Sequence, residues 1–103
     1  MQNDNFTIQA EKTISYIANE IEKQDPEALI DIDFKVDILN LSTPKGLYVI
    51  NKHSAAREIW LASPISGPYH FHIKDDLWIN KNNVELMSLL SEELSKFIKL
   101  KLS

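Results

Sequence analysis

Carboxylates are the residues of this chain best placed to do chemistry. Glu20, Glu22, Asp25, Glu27, Asp31 and Asp33 follow one another closely, and Lys23 is the only base among them. Asp31 and Asp33 stand two apart in a strand-like segment, so both project from one face. Crowded carboxylates repel one another, which destabilises a fold unless a cation relieves them. The chemistry on offer is capture of hard cations by oxygen ligands. The stretch lacks the interleaved ligand loop of an EF-hand, so any metal here is expected to be weak, water-rich and exchangeable. The other reading is a solvated face that keeps the protein soluble.

His70 and His72 are spaced to face one way on a strand, where two imidazoles can share a metal. Without a nearby third ligand they make a poor site, and ordinary exposed polar positions are the simpler account. Catalytic signatures are missing: the chain has no Gly-rich phosphate loop, no His-Glu-x-x-His and no Gly-x-Ser-x-Gly. It has no Glu-x-x-His pair either, so a helical di-iron centre that oxidises ferrous iron is not expected. The chain is not expected to be an enzyme.

Charge sharpens these readings. Residues 1–40 hold nine acids against three lysines, a balance of −6, whereas residues 41–103 carry +2. An acidic half attracts cations or a basic protein surface and repels phosphate backbones, so no nucleic-acid partner is expected. Cysteine is absent, which excludes disulfides, thiolate metal sites and a cysteine nucleophile. No apolar run approaches the roughly 20 residues of a membrane span, and the first five residues do not read as an export signal. The expectation is a soluble domain of bacterial cytoplasm, one unit over residues 1–103.

These side chains need elements to position them. Phe6, Ala10, Ile14, Ile17 and Ile21 recur with helical spacing, which predicts a helix capped by Asn3 or Asp4 and ending near Gln24, before Pro26. Strands are expected over residues 28–34, 36–41, 47–50, 57–63, 69–73 and 77–80, joined by turns such as Thr43-Pro44-Lys45-Gly46. A last helix carries the stripe Val84, Met87, Leu90, Leu94, Phe97 and Ile98, with Asn82 and Glu85 as its capping box. The predicted fold class is α+β: a two-layer sandwich, two helices on one face of an antiparallel sheet of about six strands. Alternation then places Glu58, Trp60, His70 and His72 on the open face. An exposed tryptophan there marks a second binding surface.

Three runs of residues carry a resemblance: Asn51-Lys52, then Glu58-Ile59-Trp60-Leu61-Ala62-Ser63-Pro64, then Ser66-Gly67-Pro68-Tyr69-His70-Phe71. Together they resemble the central signature of the frataxin family, and the length and the start of the chain are similar to its bacterial, CyaY-like type. The resemblance spans nearly the whole chain, including a second tryptophan at Trp78. It implies an iron-binding accessory protein of iron–sulfur cluster assembly. By that analogy Glu20, Glu22, Asp25, Glu27, Asp31 and Asp33 hold ferrous and ferric iron weakly and exchangeably. Cysteine desulfurase and the iron–sulfur scaffold protein are the implied partners. The acidic residues would also meet the desulfurase, and Asn51, Glu58 and Trp60 belong to the face that meets the scaffold–desulfurase complex. Ala18, Asn19, Lys23 and Leu29 interrupt a ridge usually denser in acid, which lowers the expected iron stoichiometry or affinity. The protein is expected to be a monomer that can form iron-dependent oligomers. A ferroxidase or iron-storage protein, and a metal-independent acidic docking adaptor, are the alternatives.

Overall fold

The computed structural model describes residues 5–102; the expected caps Asn3 and Asp4 lie outside them. Helix α1 spans Asn5–Gln24, and six strands follow: β1 Asp31–Lys35, β2 Ile38–Thr43, β3 Gly46–His53, β4 Glu58–Ser63, β5 Gly67–Lys74 and β6 Leu77–Ile79. Helix α2, Leu86–Leu94, closes the order. The strands lie in one sheet in chain order, each antiparallel to the next. The turns permit this. Asp75 and Asp76 form the two-residue link between β5 and β6, both with positive φ (52° and 65°), the geometry that matches strand twist. Gly46, at φ 130°, starts β3 where a Cβ would lie 2.8 Å from Cβ of Pro64, so a side chain has no room there.

Both helices cover one face. Alternating residues of the sheet, Leu39, Leu41, Tyr48, Ile50, Ile59, Leu61, Phe71 and Trp78, are buried against Phe6, Ala10, Ile14, Ile17 and Ile21 of α1 and Leu86, Leu90 and Leu94 of α2. Each buried Leu, Ile or Phe among them contributes about 1.5–3 kcal/mol through removal from water. Trp78 is edge-on to Phe6 with centroids 6.0 Å apart, and its indole N–H donates to Oγ1 of Thr13 at 2.9 Å. Strand and helix are thereby fixed to each other. This is the expected α+β sandwich.

The sequence reading differs at the element ends. Residues 28–30 are not strand: Ala28 has φ 53° and donates its N–H to the Asp25 carbonyl, so β1 begins only at Asp31. Val36 and Asp37 form the β1–β2 turn instead of opening the second strand. The α2 cap is Glu85 alone, its carboxylate accepting the N–H groups of Met87 and Ser88, while Asn80 rather than Asn82 orders the preceding turn. The apolar stripe also runs past the end of the helix. The helix stops at Leu94, and Ile98, Leu100 and Leu102 are buried by a tail that docks back. The Gln24 amide pairs with the main chain of Lys101, accepting its N–H at 2.9 Å and donating to its carbonyl at 3.0 Å.

Candidate functional site

Two surfaces hold the residues singled out in the sequence. The first is the acidic junction of α1 and β1. Glu22 and Asp31 are exposed, and with Asp25 they line one shallow hollow of about 230 Å³ over Ala28, Ile30 and Ile32. Asp25 plays a different part from its neighbours. It is only 6% exposed, and its two oxygens accept the N–H groups of Leu29 (2.9 Å) and Ile30 (2.8 Å). It therefore builds the turn that brings Asp31 beside Glu22, and each of its oxygens is already engaged by a main-chain N–H. Glu20 is held by Lys23 at 3.0 Å and by the Gln24 amide at 2.8 Å, hydrogen bonds that keep its carboxyl below the ordinary range. Glu27 lines a separate hollow with Pro26, Leu29, Phe97 and Lys99. Asp33 shares a face with Asp31 and leans on Lys35 at 3.3 Å. The six acids thus form an open, dispersed ridge. Among the described residues no three His, Asp or Glu side chains converge on a ready-made metal position.

The second surface is the open sheet face. Asn51 pairs with Trp60, and Trp60 with His70, across β3, β4 and β5. Trp60 is half-buried rather than bare, because imidazole rings cover both faces of its indole. His53 stacks at 3.8 Å and 10°, His70 at 4.1 Å and 8°. Glu58 accepts the indole N–H at 2.8 Å and lies 4.0 Å from Nδ1 of His70. The apolar ring thus has its desolvation partners within the chain, and the stack presents a flat, rigid wall. His53 was missed in the sequence because the third strand was ended at Ile50. Continuing its alternation from Asn51 would have placed His53 on this face.

Behind this face lies a buried polar group that the sequence reading also passed over. Glu93 is 6% exposed and accepts hydrogen bonds from Tyr48 (2.8 Å), Ser63 (2.7 Å) and Ser66. Burial by itself pushes this carboxyl up. The hydroxyls of Ser66, Ser63 and Tyr48 outweigh that and hold it below the usual carboxylate range. Burial and the neighbouring carboxylate push the Tyr48 phenol well up. Ser63 Oγ accepts the N–H groups of Ile65 and Ser66, so Glu93 anchors the Ser63–Gly67 turn to α2. A carboxylate on the α2 stripe beside Leu90 and Leu94 was the signal available.

Comparison with known proteins agrees with the fold. The family model described as a frataxin-like domain matches residues 1–100. The chain is 36% identical over 81 residues to the mitochondrial frataxin homolog of Saccharomyces cerevisiae, covering 77% of this chain and 47% of that protein. It superposes on trimeric frataxin from the same yeast, complexed with ferrous iron, with a TM-score of 0.81 and 29% identity over 93% of this chain and 88% of that one. Frataxin from Psychromonas ingrahamii shares the fold, with a TM-score of 0.81 and 23% identity over 100% of this chain and 97% of that one. The chain spans about half the length of the curated relatives it matches. These relatives, from two yeasts and a plant, are mitochondrial proteins, which overturns the expected bacterial cytoplasm. Eukaryotic relatives and a bacterial structure both match, which shows the family without distinguishing its bacterial type.

Proposed function

The chain belongs to the frataxin-like domain family, and on that premise we propose that it is an iron-binding accessory protein of iron–sulfur cluster assembly. Iron is its cargo, held weakly at the α1–β1 ridge and readily given up. The observation that carries this reading is the placement of Glu22 and Asp31 around one hollow, exposed and joined by a turn that Asp25 builds. Oxygen ligands in an open hollow suit a hard, hydrated cation that exchanges fast. The proposed setting is the mitochondrion, as for the curated relatives. The protein is not itself an enzyme in this proposal: it regulates a cysteine desulfurase and its scaffold. The −6 charge of the first 40 residues steers a basic partner surface to the ridge. Asn51, Glu58 and Trp60 provide the second contact. Iron and desulfurase then share carboxylates, so each changes the affinity of the other.

Anaerobic titration with ferrous iron, followed by backbone NMR, tests the cargo site. Signals lost around residues 20–33 and spared by an Asp31→Asn/Asp33→Asn variant support it; losses centred elsewhere overturn it. Charge reversal at Asp31 and Asp33 tests docking and lowers the on-rate for desulfurase together with its salt dependence. A docking adaptor without iron is the second reading, favoured by the commitment of Asp25 to the main chain. Its signature is partner binding that is unaltered when iron is removed.

A further inference from the structure

Strand β1 is an edge of the sheet. Among the described residues no strand pairs beyond it, so alternate main-chain N–H and C=O groups of Asp31–Lys35 point away from β2. The opposite edge is closed in another way: β6 has three residues, and Ile79 is bridged by Glu85. The side chains of β1 divide by face. Ile32 and Phe34 stand opposite the buried Leu41 and Leu39 and share the helix face, whereas Asp31, Asp33 and Lys35 share the open face. Phe34 is 43% exposed, and Val36, which follows the strand, is 85% exposed. An edge strand with bare apolar groups is a template for another strand. Asp33 and Lys35 carry opposite charges on either side of Phe34, and both are exposed.

We propose that β1 pairs with β1 of a second copy of this chain, antiparallel about a two-fold axis at Phe34, to give a dimer with one continuous sheet. In that register Phe34 lies opposite the partner's Phe34, Asp33 opposite the partner's Lys35, and Lys35 opposite the partner's Asp33. Ile32 comes beside the partner's Val36. Two ion pairs on one face and an apolar row on the other are the cross-strand pairs that stabilise a sheet. Charged groups on an edge blunt pairing with strands at large. Here they have opposite signs about a central residue, so they select an antiparallel copy of the same strand. An axis at Asp33 instead sets two carboxylates directly opposite, which disfavours that register. Within one copy Lys35 leans on Asp33 at 3.3 Å, and both side chains are more than half exposed, so exchanging partners takes only side-chain rotation. One short strand pair buries less than a standard interface, so the dimer is weak and depends on concentration. It needs no metal and stands apart from the iron reading of the ridge.

The test is the mass of the full chain by sedimentation equilibrium, over a dilution series reaching millimolar protein, with a chelator present. Salt near 0.15 M screens the repulsion between the two acidic halves beyond about 8 Å. The expected result is a rise from the monomer mass toward twice that mass, with concentration-dependent amide shifts in NMR centred on residues 31–37. Asp33→Lys or Lys35→Asp alone sets like charges opposite at two symmetric places and raises the dissociation constant about tenfold. The double exchange Asp33→Lys/Lys35→Asp makes the edge self-complementary again and restores the dimer. Both positions are exposed, so the variants keep the fold, and the indole N–H resonance of Trp78, bonded to Thr13, reports that they do. Three results overturn the proposal: a monomer at every concentration, association only when ferrous iron replaces the chelator, or a dimer that ignores the single exchanges or is not rescued by the double one.

Discussion

Replacing Glu93 with Gln tests how the fold supports its own open face. The carboxylate takes three O–H donors, and the Ser63–Gly67 turn depends on it. Glutamine keeps the volume but has a single acceptor oxygen. If that oxygen takes Tyr48 and Ser63, the amide nitrogen faces Ser66, whose hydroxyl must turn away. Ser66 is exposed, so its hydroxyl turns to water, and what is lost is one hydrogen bond to a charged group, about 1.5–3 kcal/mol. At about 2 kcal/mol the melting temperature falls by roughly 8–16 °C for a domain of this size. The urea midpoint falls at unchanged m value, because the surface exposed on unfolding is the same. The pH dependence adds a sign. Glu93 has a depressed folded-state pKa, so its contribution is present above the unfolded value near 4.5. It is lost as pH falls through the folded value. Wild type therefore loses stability more steeply below about pH 4.5 than Glu93→Gln does. A double-mutant cycle with Tyr48→Phe should give a coupling of about 0.5–3 kcal/mol. Additive effects, with parallel acid profiles for wild type and variant, would refute the reasoning.

Other perturbations separate structure from function. Asp25→Asn strands a main-chain N–H of Leu29 or Ile30 and costs about 1–3 kcal/mol in a urea melt, while Asp31→Asn is close to neutral for stability and weakens ferrous iron in calorimetry. Trp60→Ala loses two ring stacks, about 1–3 kcal/mol together, but its larger effect is on affinity for the desulfurase–scaffold complex measured by surface binding. Magnesium or moderate salt raises the melting temperature by relieving the ridge; a melt unchanged by either would show that Glu22 and Asp31 scarcely interact.

The pattern of the chain accounts for most of the fold. Helical spacing from Phe6 to Ile21 and alternation through residues 58–63 and 69–73 depend on near neighbours, and they suffice for two helices on one face of a sheet. Cross-strand alternation likewise placed Trp60, His70 and His72 on the open side. The tail differs from its pattern: Phe97 and Ile98 continue a helical rhythm, although the main chain leaves the helix at Ser95 to seat Leu100 and Leu102 beside Gln24 and Ser91. One of those partners, Gln24, lies 77 residues from the Lys101 that it binds.

The candidate sites divide along the same line. Residue types and net charge are local sums, so the acidic first half and its attraction for cations were legible in the sequence. Sequence order could not separate Asp25, turned inward on the Leu29 and Ile30 amides, from Asp31, turned out beside Glu22. Nor could it show that His53 and His70, 17 positions apart, would close on opposite faces of one indole. Composition decides what a surface attracts. Register and burial decide which side chains are free to act, because a group already hydrogen-bonded inside the fold has little left to offer a ligand.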